Sequence, residues 1–397
     1  MLIAGEASGD WLAAELVRAL RGRCAEAGAA PTPDSQPLHS ALEPRFFGAG
    51  GPRMAEAGVE LALDMTQHSV IGLSDVLKNY LKFKRLFHQL LGLAIERQPD
   101  AILCVDFSGF NRRFARAIKD RVRSRLDWFH PWNPKLVQYV SPQVWASREG
   151  RAYQMARDCD LLLSIFPFEK DWYAKRVPQL RVEFVGHPML DRFQKAEGRR
   201  QKAEISSASP LILLLPGSRP DELRRHLPVL LGALKSIRER LPASRAKMVL
   251  PDAALVQQAK SAAMPADVEI QAGGLPEALA QADVAIASTG TVTMECAFFG
   301  VPTVAIYKTS WSTYQIGRRI VKVKYLAMPN LLADGEIFPE FIQNAATPEN
   351  ISRAALDLMQ DESRRAQVKA RLAGIVSSLG KPGASRRAAA AISRLFE

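Results

Sequence analysis

The chain lacks the features that define several large protein classes. Its 397 residues include only four cysteines, Cys24, Cys104, Cys159 and Cys296. Their spacing forms no disulfide framework, which points to reduced thiols in a cytosolic compartment. The six histidines make neither HxxxH nor HExxH, which argues against a dedicated zinc site, and no metal is expected. No apolar run approaches the ~20 residues that a membrane-spanning helix needs; strand-like runs such as Leu211 to Leu215 are five or six residues long. The start has no basic stretch followed by a long apolar core and a small-residue cleavage site, so no secretory signal is read. GxGxxG and GxxxxGK[ST] are both absent, which counts against a nicotinamide or flavin dinucleotide and against a P-loop. No cofactor is expected.

What is present is an ordinary globular composition, 47% apolar and 24% charged, in a chain long enough for two average domains. Lys and Arg number 53 against 41 Asp and Glu, a net charge of +12. A negatively charged partner follows: nucleic acid, an anionic membrane face or a phosphorylated substrate. The basic residues are spread over helical stretches rather than gathered in a tail, which weakens the nucleic-acid reading.

Short Leu-rich or β-branched runs alternate with amphipathic stretches along the chain. Strands are expected at 2–4, 45–48, 101–106, 136–140, 161–165 and 181–185, then at 211–215, 247–250, 267–270, 284–287 and 302–306. Such alternation implies α/β domains built on mainly parallel, doubly wound sheets. Residues 191–210, with KAEGRRQKAEISSASP, carry charge and small residues without a strand pattern. They are read as a linker between a first domain at 1–190 and a second at 211–375, with a helical tail at 376–397. The expected architecture is two Rossmann-like domains facing across a cleft. Residues 27–44 read as an exposed loop. The opening strand is shorter than the usual ~5–6 residues and reads as a trimmed start.

Four loops follow strands and open helices, where free N–H groups favour anions. They are Gly5 to Asp10, Asp106 to Asn111, Pro216 to Arg219 and Ser288 to Thr291. Each also fits simple turning and capping. The last two share the second domain, and together their N–H groups, Arg219 and small hydroxyls suit a diphosphate. Glu295, one turn further on, suits a ribose or a solvated helix face. Asp106 ends an apolar strand, where it either serves as a general base or caps the next turn. Asp158-Cys159-Asp160 looks like a DxD metal motif, but it precedes its strand and reads as a turn. Between Val70 and Leu91, Leu73, Val76, Leu77, Tyr80 and Leu81 alternate with Lys78, Lys82, Lys84 and Arg85. That pattern fits a core helix or a helix lying on a membrane. Arg318, Arg319, Lys322 and Lys324 form a second basic cluster, read as a solvated face.

Taken together, GEASGD at the start, SPQVWA at 141–146, FPFEK at 166–170, FVGHPMLD at 184–191, LPGSR at 215–219, GTVTMEC at 290–296 and PNLLADGEIFPEFIQ at 329–343 resemble the lipid-A-disaccharide synthase family. The resemblance implies a GT-B type glycosyltransferase. The reaction it implies joins UDP-2,3-diacylglucosamine to 2,3-diacylglucosamine 1-phosphate (lipid X), giving the β-1,6-linked disaccharide 1-phosphate and UDP. It also implies work on the phospholipid surface at the cytoplasmic face of the inner membrane, no nucleic-acid partner, and a homodimer with exchanged C-terminal segments. By resemblance, Asp106 is the general base. Gly217, Ser218, Arg219, Ser288, Thr289, Gly290, Thr291, Glu295 and Asn330 serve the donor, and Ser8, Gly9, Asp10, Glu340 and Gln343 are acceptor-side or active-site polar groups. Leu73, Val76, Leu77, Tyr80, Leu81 and Lys82 contact lipid. Ser108 and Gly109 follow Asp106 where the family usually has a proline and often a second acid or glycine, and Ser147 stands where an aromatic is common. Other readings are a different UDP-N-acetylglucosamine enzyme of this architecture, such as the lipid-linked muropeptide transferase or a 2-epimerase, and a basic nucleic-acid-binding protein.

Overall fold

The computed structural model describes residues 1–28, 44–66, 73–125, 129–193, 209–262 and 264–397, with side chains described except at 24–28 and 73–80. The chain divides into two compact units, Met1–Asp191 with Leu379–Glu397, and Arg192–Ser378.

The first unit carries β1 (Leu2–Ala4), β2 (Phe47–Gly50), β3 (Glu60–Asp64), β4 (Ala101–Val105), β5 (Lys135–Tyr139), β6 (Leu161–Ser164) and β7 (Val182–Phe184). Among the described residues they form one sheet in the order β3-β2-β1-β4-β5-β6-β7, and every pair is parallel. The second unit carries β8 (Leu211–Leu215), β9 (Arg245–Leu250), β10 (Val268–Ala272), β11 (Val284–Ser288), β12 (Thr303–Tyr307) and β13 (Glu340–Ile342). Its order is β10-β9-β8-β11-β12-β13, again parallel throughout. Parallel strands covered on both faces read as continuous apolar runs, and LILLL of β8 and VAIAS of β11 are buried at every position. In both sheets the strand order reverses once, between β1 and β4 and between β8 and β11. In open α/β sheets the ligand crevice lies at the carboxyl ends of the strands at that reversal.

The expected strands are present with ends shifted by one or two residues. Two were not anticipated. β3 and β13 sit at sheet edges, and their residues ELALD and EFI are only partly buried or exposed, so they carry no run of apolar residues to betray them.

The first unit's core joins Ile3, Cys104, Phe110, Phe114, Ile118 and Leu136 to Leu86, Leu90 and Ala94 of the helix Leu73–Arg97. The expected tail at 376–397 is part of this unit from Leu379 on. Asp191, placed by the sequence at the start of the linker, is what holds it. Its carboxylate accepts from the Gly383 and Ala384 N–H groups, the latter at 2.9 Å, capping the helix Ala384–Ser393. Arg387 Nε donates to the Val185 carbonyl at 2.7 Å and Arg394 pairs with Glu183 at 2.5 Å. Buried Ala384, Ala388, Ala389 and Ala391 let this helix pack closely on the helix Ala7–Gly28. The loop expected at 27–44 and the linker core at 194–208 lie mostly outside the described residues.

Candidate active site

All four loops chosen from sequence leave the strands that flank the two reversals: Gly5–Asp10 after β1, Asp106–Asn111 after β4, Pro216–Arg219 after β8 and Ser288–Thr291 after β11.

At the first reversal the backbone is strained. Asp106 and Phe107 have φ of 49° and 44°, and Val140, at the end of the neighbouring β5, has φ of 67°. Left-handed backbone is uncommon for any residue with a side chain and a clear outlier for a β-branched one. Each such residue costs on the order of 1–3 kcal/mol and persists only where surrounding structure enforces it. The enforcement is visible. Asp106 N–H donates to the Tyr139 carbonyl at 2.8 Å. The Asp106 carbonyl accepts from Asn111 Nδ2 at 2.9 Å and from Gln138 Nε2 at 3.3 Å, and Gln138 also donates to the Val140 carbonyl at 3.2 Å. Burial raises the Asp106 carboxyl above the ordinary range, and a hydrogen bond from the Phe107 backbone opposes it. Among the described residues no cation pairs with it. Such a carboxylate, short of partners and partly dehydrated, has the make-up of a proton acceptor.

The neighbouring Gly5–Asp10 loop divides its residues between roles. Ser8 is exposed and Gly9 lies beside Asp106. Asp10 is 2% exposed, and its carboxylate accepts from the N–H groups of Gly51 at 2.8 Å, Arg53 at 3.1 Å and Met54 at 3.1 Å. The sequence expectation turns Asp10 toward the acceptor. The structure instead commits both its oxygens to the start of the helix Pro52–Glu56.

SPQVWA, FPFEK and FVGHPMLD, to which no site role was given, meet just past the carboxyl ends of β5, β6 and β7. Glu169 is fully buried and accepts from Trp145 Nε1 at 3.0 Å and from the Phe166 N–H at 3.3 Å. Burial pushes its carboxyl up to about 7, against those hydrogen bonds. Ser141 Oγ donates to Tyr173 Oη at 3.3 Å, and the rings of Phe166 and His187 lie 5.3 Å apart. Burial lowers His187 to about 4, and its Nδ1 accepts from the Met189 N–H at 3.2 Å.

In the second unit, Gly217 has φ of 120°, and a Cβ there would come within 2.3 Å of Glu222 Oε2. Glu222, which sequence reasoning missed, braces this loop. It accepts from the Ser218 N–H at 3.0 Å and pairs with Arg219 at 3.3 Å. The Arg219 side chain is 66% exposed, so the guanidinium is loosely held. His226, also missed, is buried. Its Nδ1 lies 2.6 Å from the Pro216 carbonyl, and its Nε2 accepts from the Lys308 N–H at 2.9 Å. That pair of partners assigns the proton to Nδ1 and a neutral ring. Burial lowers its pKa, opposed first by the Pro216 carbonyl.

After β11, Gly290 has φ of 129° and open space around it, so glycine is needed there for its backbone alone. No side chain caps the helix Thr291–Phe298 that it opens. Thr293 Oγ1 turns back to the Gly290 carbonyl at 2.7 Å, while Thr291 is exposed. An uncapped helix start carries unpaired N–H groups and partial positive charge, which suits an anion. Ser288 is buried, its hydroxyl 3.4 Å from the Thr289 carbonyl, and the Thr289 N–H bonds to Ile306 at 3.0 Å. Glu295 lies 3.9 Å from Arg192 with 13% of its side chain exposed; burial raises its carboxyl and Arg192 opposes.

Within PNLLADGEIFPEFIQ, Asn330, Glu340 and Gln343 are engaged by the surrounding fold, while Asp334 and Glu336 are exposed. Asn330 is buried. Its Oδ1 accepts from Ile337 and Phe338 N–H groups, both at 2.8 Å, and its Nδ2 donates to the Phe338 carbonyl at 2.7 Å and Glu340 Oε1 at 2.8 Å. Glu340 accepts further from Leu326 and Ala327 at 2.8 and 2.9 Å. Gln343 pairs both ends of its amide with the Thr309 backbone, at 2.8 and 3.1 Å. These side chains lock loops, and Asn330 has no hydrogen-bonding valence left for a donor.

In the helix Leu73–Arg97, Leu73, Val76, Leu77 and Tyr80 have side chains outside the described residues. Leu81 is 74% exposed and Lys82 is exposed, whereas Leu86 and Leu90 enter the core. The pattern thus serves a core helix in its second half and leaves Leu81 to solvent. Among the described residues no helix is long and apolar enough to cross a membrane, and no three His, Cys, Asp or Glu side chains are grouped to hold a metal.

Known proteins agree with the motifs. Residues 1–394 match the family model of lipid-A-disaccharide synthetase. A lipid-A-disaccharide synthase from Geobacter sulfurreducens is 34% identical over 400 residues, spanning 98% of this chain and 95% of its own length. Among solved structures, a putative UDP-N-acetylglucosamine 2-epimerase from Listeria monocytogenes covers 100% of this chain and 95% of its own with a TM-score of 0.62 at 13% identity. Acinetobacter baumannii MurG covers 99% of each chain with a TM-score of 0.52 at 15% identity. At those identities the two structures show a shared GT-B fold and nothing finer. The sequence match over the whole length goes further: the chain belongs to the lipid-A-disaccharide synthetase family of glycosyltransferases.

Proposed function

We propose that the chain transfers 2,3-diacylglucosamine from UDP to the 6-hydroxyl of 2,3-diacylglucosamine 1-phosphate by a single in-line displacement. The acceptor oxygen forms a bond to the anomeric carbon as the bond to the diphosphate breaks, inverting that carbon and giving the β-1,6 linkage. Asp106 receives the hydroxyl proton, and UDP leaves with the bonding electron pair. Arg219, the turn at Gly217 and Ser218, and the uncapped helix start at Gly290 and Thr291 meet the charge that develops on the diphosphate. Ser288 and Thr289 shape the floor of that loop, and Glu295 accepts from the ribose hydroxyls. Ser8 and Gly9 border the acceptor beside Asp106. Asp10, Asn330, Glu340 and Gln343 hold the loops in place. The observation that carries this reading is the strained, partner-poor Asp106 at one sheet reversal in a chain whose other reversal offers two anion-binding turns.

The same reading places the protein as a peripheral enzyme on the cytoplasmic face of the inner membrane. Exposed Leu81 and the helix Trp311–Ile320 support it. That helix buries none of its residues, exposes Trp311 and Ile316 at 75% and 59%, and ends in Arg318 and Arg319. A homodimer exchanging the segment after Leu379 would keep the Asp191 and Arg387 contacts, made between chains instead of within one. Light scattering reads whether the chain is dimeric.

The deciding assay incubates the protein with UDP-2,3-diacylglucosamine and lipid X and follows products by mass spectrometry. Disaccharide 1-phosphate and UDP are expected in equal amounts. UDP released without disaccharide, or an epimerised sugar nucleotide, would overturn the assignment.

A further inference from the structure

Four arginines have no part in the account so far. Arg112 and Arg113 lie early in the helix Ser108–Arg125, which starts two residues after Asp106 at the carboxyl end of β4. Arg148 and Arg151 flank the turn that follows the short helix Val144–Ser147, beyond the carboxyl end of β5. β4 and β5 are adjacent, with Val105 beside Tyr139, so both pairs emerge on one edge of the sheet. Arg112 ties the two segments together by donating to Gln154 Oε1.

Among the described residues none of the four is paired with a carboxylate, and nearby acids are engaged elsewhere. Asp158 is held by Arg157 through two bonds of 2.7 and 2.8 Å, Glu149 pairs with Arg176 at 3.8 Å, and Asp120 pairs with Arg116 at 3.5 Å. The guanidiniums therefore press on one another. Burial lowers the Arg112 pKa, and Arg113, Arg148 and Arg116 lower it further, with Asp158 opposing. Burial likewise lowers Arg151, followed by Arg112, Arg148 and Arg113. Like charges gathered without counter-ions repel, and a bound anion relieves them all at once. Arginine's rigid fork suits the oxygens of a phosphate in particular.

We propose that Arg112, Arg113, Arg148 and Arg151 seat the phosphomonoester of the acceptor sugar, on the same sheet edge as Asp106. This rests on the transferase reading above and adds the group that distinguishes acceptor from donor. The donor's diphosphate belongs to turns of the other unit.

The test uses full-length Arg148→Ala/Arg151→Ala and Arg148→Lys/Arg151→Lys variants in nonionic detergent micelles. Each is assayed with UDP-2,3-diacylglucosamine and either lipid X or its dephosphorylated form. The alanine variant should raise KM for lipid X by roughly tenfold to a hundredfold, the loss of one or two charge-assisted bonds. It should treat the dephosphorylated acceptor as the parent protein does, and the lysine variant should recover part of the loss. UDP binding, titrated calorimetrically, should be unchanged, and the unchanged turnover of the dephosphorylated acceptor shows that the first unit of the variants is folded. An equal loss on both acceptors, or an unchanged KM, overturns the proposal. So does a loss confined to binding of anionic phospholipid vesicles, which would make the cluster a headgroup site. If the parent protein makes no disaccharide at all, the transferase reading fails instead. Direct titration of lipid X into parent and variant then still reads the cluster: weaker binding to the variant upholds a phosphate seat, and equal binding removes it.

Discussion

Replacing Asp10 separates two accounts of the GEASGD loop. If its carboxylate is architectural, Asp10→Ala leaves three backbone N–H groups without an acceptor, those of Gly51, Arg53 and Met54. The Gly51 and Met54 bonds are buried, and the Arg53 bond is partly reached by water. Each buried orphan costs ~1–3 kcal/mol, so the total loss is about 3–5 kcal/mol. For a unit of this size that lowers its melting midpoint by roughly 6–20 °C. Asp10→Asn is milder. Its single oxygen can still serve Gly51 and Met54, which share Oδ1, while its amide nitrogen faces the Arg53 donor; a loss of about 1–2 kcal/mol is expected. Calorimetric scanning of the full chain should show the first unit's transition falling in that order, with KM for the acceptor close to that of the parent protein in the folded fraction. An Asp10→Ala protein that melts normally but has lost acceptor affinity would refute the capping argument and return Asp10 to the substrate.

Asp106→Asn should lower kcat by about 10²–10⁴-fold, the usual weight of a general base, with UDP affinity unchanged. Because burial raises the Asp106 pKa and only the ionised form accepts a proton, kcat/KM should rise with pH through a range above that of an ordinary carboxylate, and a flat profile would exclude this base. Glu169 keeps its proton in the folded state up to about 7. Its contribution to stability is therefore complete below its ordinary value of 4.5 and declines by about 3 kcal/mol as pH rises to about 7; Glu169→Gln should flatten that slope in urea titrations. His226 is depressed by burial, so its contribution is present above its ordinary value of 6.5 and lost as pH falls. UDP affinity should weaken on acidification and lose that dependence in His226→Gln. Leu81→Glu and Trp311→Glu should each weaken partition onto anionic vesicles by roughly tenfold or more, from the apolar area lost, and unchanged partition would remove both helices from the membrane.

The sequence was most legible where a segment carries its own cause. AILCV and LILLL announce interior parallel strands because both faces must be apolar, and both lie where expected. β3 and β13 lie at edges, half in solvent, and three to five mixed residues give no periodic signal. The reach of the last helix back to the first unit was equally hidden. Asp191 sits 192 residues from Gly383, and nothing local to KPGASRR names its acceptor.

The site divides along the same line. Gly217 and Gly290 were legible because a positive φ is a demand on one residue. The chemical role of a polar side chain depends on what the fold leaves it to do. Asp10 and Asn330 stand in motifs as prominent as those of Asp106 and Glu295. Yet Asp10 meets its donors 41 to 44 residues away, and Asn330 spends both ends of its amide within its own loop. Val140 looks like any strand residue and is held left-handed by Gln138 and its surroundings. His226 reads as one polar residue on an amphipathic helix until Lys308, 82 residues on, supplies its second partner. Burial raises the carboxyls of both Asp106 and Glu295; among the described residues no cation pairs with Asp106, and Glu295 has one long ion pair, with Arg192 at 3.9 Å. A motif therefore marks where a ligand can be met, and the groups free to meet it are those the tertiary hydrogen bonds have left short.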